Sequence, residues 1–209
     1  MFTKKLQPYI CKFADFTYQK FHRFAKWLVK NNISADLITF LGICFAISAL
    51  NFLAVESYLM ALICLLFNRL CDILDGMTAR LKHITKFGIF FDIFADYTSF
   101  GLFLWGFILA NPEKNSISGS FLIVCLFISA VSLLSFAISS NQDFRKINQS
   151  GIKICLWGHI QNFDTFIALF LMCLFNQYFL LISVFFGLLL LGKSLIIISK
   201  AYYELEIKN

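Results

Sequence analysis

Nineteen consecutive residues from Leu37 to Val55 carry no charge. As a helix rising 1.5 Å per residue, that run crosses the ~30 Å hydrocarbon core of a bilayer. Apolar stretches of similar length recur at 121–139 and, interrupted only by Lys193, at 178–199. With 209 residues that are 59% hydrophobic and 14% charged, and a mean hydropathy of +0.77, the expected product is a polytopic membrane protein and not a soluble domain. Helices are expected at Leu37–Val55, Tyr58–Arg80, Phe87–Ala110, Phe121–Ser139, from a start between Ile154 and Phe163 to near Asn176, and at Tyr178–Ser199. Glu56 and Ser57 should form a tight turn, and Asn111, Pro112 and Glu113 should close the third helix. The fold class is thus an all-α integral membrane protein with six transmembrane helices behind an N-terminal amphipathic interfacial helix. Residues 1–36 form the juxtamembrane segment, 37–200 one membrane domain and 201–209 a tail.

Met1 to Asn32 holds seven Lys or Arg (Lys4, Lys5, Lys12, Lys20, Arg23, Lys26, Lys30) against Asp15, an excess equal to the whole net charge of +6. Phe13, Phe16, Phe24 and Trp27 recur near helical spacing, and Pro8 suits a helix start. That combination fits a helix lying on an anionic leaflet, with membrane lipids and not nucleic acid as the partner. Of the 18 Lys and Arg, only Lys114 falls on the outer side of this layout, so both termini are expected in the cytoplasm. The seven cysteines are scattered, odd in number and without a CxxC, which leaves no disulfide framework or zinc site.

The chemistry concentrates between Asn68 and Ser99, where Asp72, Asp75, Asp92 and Asp96 stand among apolar residues. Asp72, Asp75, Gly76, Ala79 and Arg80 follow i, i+3, i+4, i+7, i+8 and share one helix face, as do Gly88, Asp92 and Asp96. With a turn at Leu81 to Lys86, Asp72 lies about 12 Å before Arg80 and Asp96 about 12 Å after Gly88, so the four carboxylates meet at similar depth. Unpaired, each would cost several kcal/mol. A hard divalent cation such as Mg²⁺, Mn²⁺ or Ca²⁺ would cancel them, and Arg80 supplies a fixed cation for a phosphate.

These eight residues closely resemble the signature of the CDP-alcohol phosphatidyltransferase family, DxxDGxxAR followed by GxxxDxxxD. Seven residues separate Arg80 from Gly88, one fewer than in the commonest form. The resemblance implies a phospholipid-biosynthetic transferase that moves a substituted phosphate from a CDP-alcohol, such as CDP-diacylglycerol, to an alcohol acceptor and releases CMP. It further implies that Asp72, Asp75 and Asp92 hold one or two Mg²⁺ or Mn²⁺ ions. Asp96 would be the general base, or alternatively a fourth metal ligand. Gly76, Ala79, Arg80 and Gly88 would seat the nucleotide, Asp36 and Thr39 resemble positions lining its pocket, and a homodimer is implied; the Lys and Arg distribution, independently of the resemblance, puts the site on the cytoplasmic face of an inner (cytoplasmic) membrane.

Several residues admit two readings. Asp36 or Ser34 would cap the first helix, and Thr39 is equally a helix-face threonine. Asn68 is either a donor to a metal-binding carboxylate or a bundle hydrogen bond, and Arg69 either snorkels or pairs with an acid. Lys193, with Arg145, Lys146 and Lys153, would hold an acceptor phosphate, or Lys193 snorkels. His83 is a turn residue or a phosphate contact, and His159, Gln161 and Asp164 touch the acceptor or cap a helix. The contrasting class is a cation- or proton-coupled transporter, but that predicts acids tracking across the bilayer, whereas here they gather at one side. A non-catalytic scaffold predicts a lost aspartate, and none is lost.

Overall fold

The computed structural model describes residues 21–139 and 164–203, all of them helices, turns and short connections. Helix α1, described over 21–30, buries Ala25 and Leu28 and leaves Arg23, Lys26, Lys30 and a stacked Phe24–Trp27 pair exposed. Asn32, in the left-handed region at φ 59°, stops it, with Ile33 N–H bonding Leu28 O and Asn32 N–H bonding Val29 O. The earlier part of the expected interfacial helix, up to residue 20, lies outside the described residues.

Helix α2 (Ala35–Ala54) starts on Ser34, whose Oγ accepts from Leu37 N–H at 3.2 Å, so Ser34 and not Asp36 is the cap. It ends where Glu56 (φ 57°) reverses the chain, at the expected turn. Helices α3 (Tyr58–Leu81) and α4 (Lys86–Ala110) follow. Helix α5 (Pro112–Ser139) begins nine residues before the expected Phe121. The reason is local: Asn111 Oδ1 caps Lys114 N–H at 3.3 Å, and Pro112 has the fixed φ of a first helical residue. The polar run that reads as a loop therefore supports a first turn, with Asn115 Nδ2 bonding Phe107 O at 2.7 Å. After α6 (Asp164–Leu174), a 3-10 turn at Asn176–Tyr178 leads into α7 (Phe179–Tyr202).

Four helices among the described residues are long and apolar enough to cross a bilayer: Ala35–Ala54, Lys86–Ala110, Pro112–Phe136 and Asn176–Tyr202. Helix α3 is not one of them, because Arg69, Asp72 and Asp75 fall within its first eighteen residues. Isoleucines, leucines and phenylalanines such as Ile117, Phe127, Leu181 and Phe185 stand exposed along these helices, as lipid-facing side chains do. The protein is an all-helical membrane protein.

The chain divides into two compact units. One comprises the chain up to Phe45 together with Leu66–Asp96, and packs Leu28, Ile38, Cys71 and Leu74. The other comprises Ala46–Leu65 and the chain from Tyr97 onward, around Leu53, Leu65, Phe103, Phe107, Met172, Phe179 and Leu190. Close helix approach organises this second core. A Cβ at Gly106 would sit 3.1 Å from the Leu50 backbone, and one at Gly187 would sit 2.6 Å from the Phe121 ring.

Candidate metal centre

Helix α3 turns Asp72 and Asp75 to one side because they are three residues apart, and α4 presents Asp92 from its second turn. One oxygen from each of the three lies within 4.8 Å of the others. Asp75 is buried, Asp72 half-buried and Asp92 exposed, so the cluster opens to one side. Three carboxylate oxygens at this separation form a donor set for a hard cation. Asp96 stands one turn further along α4, half-buried and outside that set of three, within electrostatic reach of Asp72, Asp92, Asp75 and Arg69.

Neighbouring side chains fix the two α3 carboxylates. Thr39 is buried on α2 and its Oγ1 donates to Asp75 Oδ2 at 2.6 Å, while Arg69 Nη1 forms an ion pair with Asp72 Oδ2. Arg69 therefore pairs with an acid one turn along its own helix. Asn68 Nδ2 donates to Gly42 O at 2.9 Å, tying α3 to α2. Lys82 Nζ, which the sequence did not single out, ties the end of α3 to Ile33 O at 3.0 Å.

Arg80, exposed, folds back so that Nε donates to Gly76 O at 2.8 Å. A Cβ at position 76 would lie 3.1 Å from its guanidinium, so Gly76 lets the guanidinium lie close against the helix backbone. Ala79 is half-buried on the same helix, and His83 is exposed in the turn that follows. Thr85 Oγ1 caps α4 by accepting from Gly88 N–H at 2.9 Å, which starts that helix at Lys86 and not Phe87. A threonine three residues before the glycine was the available signal. A Cβ at Gly88 would come 3.0 Å from Thr85 Oγ1 and 3.5 Å from Asp36 Oδ1, which places Asp36 beside the glycine of the second half-signature.

The expected acceptor residues are not assembled by what is described. Arg145, Lys153, Lys146, His159 and Gln161 lie outside the described residues. Lys193 on α7 forms an ion pair with Asp164 at the start of α6, both partly exposed.

Fold and site together define an integral membrane protein with a cluster of three aspartates on α3 and α4 that could hold a metal ion. The chain belongs to the CDP-alcohol phosphatidyltransferase family, a family of transferases, whose pattern matches residues 32–189. It is 35% identical over 172 residues to the inner membrane protein YnjF of Escherichia coli (strain K12), covering 80% of this chain and 82% of that one. No solved structure matches it.

Proposed function

We propose that the protein transfers a substituted phosphate, phosphatidyl in the first instance, from a CDP-alcohol such as CDP-diacylglycerol to an alcohol acceptor, releasing CMP. The observation that carries this reading is the convergence of Asp72, Asp75 and Asp92 to within 4.8 Å beside Arg80 and two glycines, in a chain of this family. Those three residues would hold one or two divalent cations, Mg²⁺ or Mn²⁺, which when bound offset charge on the diphosphate. Arg80, Gly76 and Gly88 would receive the nucleotide's phosphates, with Asp36 beside Gly88 and Ala79 on the shared face. Thr39, whose hydroxyl supports Asp75, would stand at the edge of the same nucleotide pocket.

Asp96, outside the set of three, would take the proton from the acceptor hydroxyl as the oxygen attacks the phosphorus and the bond to CMP breaks. The acceptor side would draw on Arg145, Lys153 and Lys193. Six membrane crossings with both termini and the site in the cytoplasm, and a homodimer, complete the reading; the Lys and Arg distribution supports the orientation.

The test is direct. Membranes containing the protein, labelled CDP-diacylglycerol, Mg²⁺ or Mn²⁺ and a panel of alcohols should yield a new lipid and CMP with at least one acceptor, and an Asp75→Asn control should not. Failure to consume any CDP-linked donor in every mixture would overturn the reading. Orientation is checked separately: single cysteines at His83 and Ser116, in a cysteine-free background, should label from opposite sides of the membrane.

A further inference from the structure

We infer that Thr39 and Arg69 are positioning residues that set the ion selectivity of the carboxylate centre, favouring Mg²⁺ or Mn²⁺ over Ca²⁺; this rests on the metal-site reading proposed above. Each of the two α3 carboxylates has one oxygen already committed. Asp75 Oδ2 accepts from Thr39 Oγ1 at 2.6 Å, and Asp72 Oδ2 is held by the Arg69 guanidinium. Both clamps are sheltered: Thr39 is 7% and Asp75 5% exposed, and Arg69 is partly buried. Asp75 is additionally confined by its place on a helix pinned through Asn68 to Gly42 O.

A carboxylate with one oxygen tied down offers the other to a metal in monodentate fashion. To chelate with both it must share the clamped oxygen between the metal and its donor, whose hold fixes the angle at which that oxygen can be offered. Ca²⁺ draws on six to eight oxygens and readily takes carboxylates bidentate at about 2.3–2.6 Å, whereas Mg²⁺ takes an octahedral shell at about 2.0–2.1 Å and keeps several waters. Two clamped, monodentate aspartates therefore suit the smaller ions and deny Ca²⁺ part of its shell. Arg69 also adds a positive charge beside the site, which weakens every divalent ion; the relative affinity of two ions, not the absolute one, reports the clamp.

The experiment uses the purified full chain in detergent without nucleotide. Bound Mn²⁺ is displaced by Mg²⁺ or by Ca²⁺, and free Mn²⁺ is read from its electron paramagnetic resonance signal. In the wild type, Mg²⁺ should displace at lower concentration than Ca²⁺. Thr39→Val should raise the potency of Ca²⁺ relative to Mg²⁺ by about 10-fold, the lower end of supporting-residue effects on metal sites. Thr39→Ser keeps the hydroxyl and should keep the wild-type ratio. Arg69→Met should move the ratio in the same direction as Thr39→Val while tightening both ions, which gives a second route should the valine variant not fold. Normal Mn²⁺ binding with an unchanged ratio in Thr39→Val and Arg69→Met, or equal weakening of both ions, would overturn the selectivity. A wild-type chain that binds no Mn²⁺ would overturn the metal-site reading itself and the selectivity with it.

Discussion

The two compact units differ in how far the bonds of several of their polar side chains reach along the chain. In the unit of Ala46–Leu65 and the chain from Tyr97, buried serines turn back on their own helices: Ser183 Oγ donates to Phe179 O at 2.7 Å and Ser194 Oγ to Leu190 O at 2.8 Å. In the unit of the carboxylates the bonds reach across the sequence. Thr39 bonds Asp75 36 residues away, Asn68 bonds Gly42 26 residues away, and Lys82 bonds Ile33 49 residues away. A hydroxyl bonded to its own helix satisfies itself and constrains little else. A bond between helices fixes one element against another, and a metal centre needs its ligands held to a fraction of an ångström. Lys193 with Asp164, 29 residues apart, and Asn115 with Phe107 O depart from this in the apolar unit.

The largest effects should come from the carboxylates, and they sharpen the comparison by separating members of one cluster. Asp96→Asn should cut kcat by about 10²-fold or more, the scale of general-base loss, with donor KM largely kept. Asp75→Asn should instead lose metal affinity, since a neutral amide replaces a buried charged ligand. Metal titrations of the two variants side by side decide between the roles. Equal increases in the Mg²⁺ requirement would put Asp96 among the ligands.

The same contrast explains what the sequence made legible. The signature, the turn at Glu56 and the helices that carry the aspartates follow from local spacing, and the structure has them close to where periodicity places them. The start of α5 was misread because Asn111 and Pro112 are chemically ambiguous: the same pair ends one helix or caps the next, and the polar residues after it look like a loop. Arg69 with Asp72 was open to reading, being i, i+3 on one helix. The partners of Thr39, Asn68 and Lys193 were not, because a hydrogen bond between helices leaves no periodic trace in either one. Function-bearing support is therefore the least visible part of this sequence, and its most visible part is the set of residues it supports.

A smaller effect tests whether the cross-helix bonds hold the carboxylate unit together. Asn68→Leu removes the donor to Gly42 O at a buried position and should destabilise the protein by about 1–2 kcal/mol, read as a lower Tm in detergent. An unchanged Tm would reduce that bond to a by-product of packing. Smaller still is the ion pair in the other unit. The side chains of Lys193 and Asp164 are 21% and 33% exposed, so Lys193→Met should cost about 1 kcal/mol or less, and adding Asp164→Asn should recover most of it. Loss of activity without loss of stability in Lys193→Met would instead mark the lysine as an acceptor contact.

The smallest prediction could break the comparison. Thr78 is completely buried on α3, three residues after Asp75, and its Oγ1 has no hydrogen-bond partner among the described residues. It follows Asp75 at i+3 and Cys71 and Leu74 at i+7 and i+4, so it lies where the aspartate side of the helix meets the side that packs Cys71 and Leu74. If polar side chains in this unit are retained because they bridge helices, a hydroxyl that bridges nothing should be dispensable. Thr78→Val keeps the shape and removes an unsatisfied group, so it should leave Tm unchanged or raise it slightly, without altering kcat or the metal titration. Ser183→Ala in the other unit should be almost as silent, because the lost bond returns only to its own helix. A clear loss of stability or metal affinity in Thr78→Val, set against a silent Ser183→Ala, would show that the hydroxyl does bridge, and would extend the cross-helix support of the centre one turn beyond Asp75.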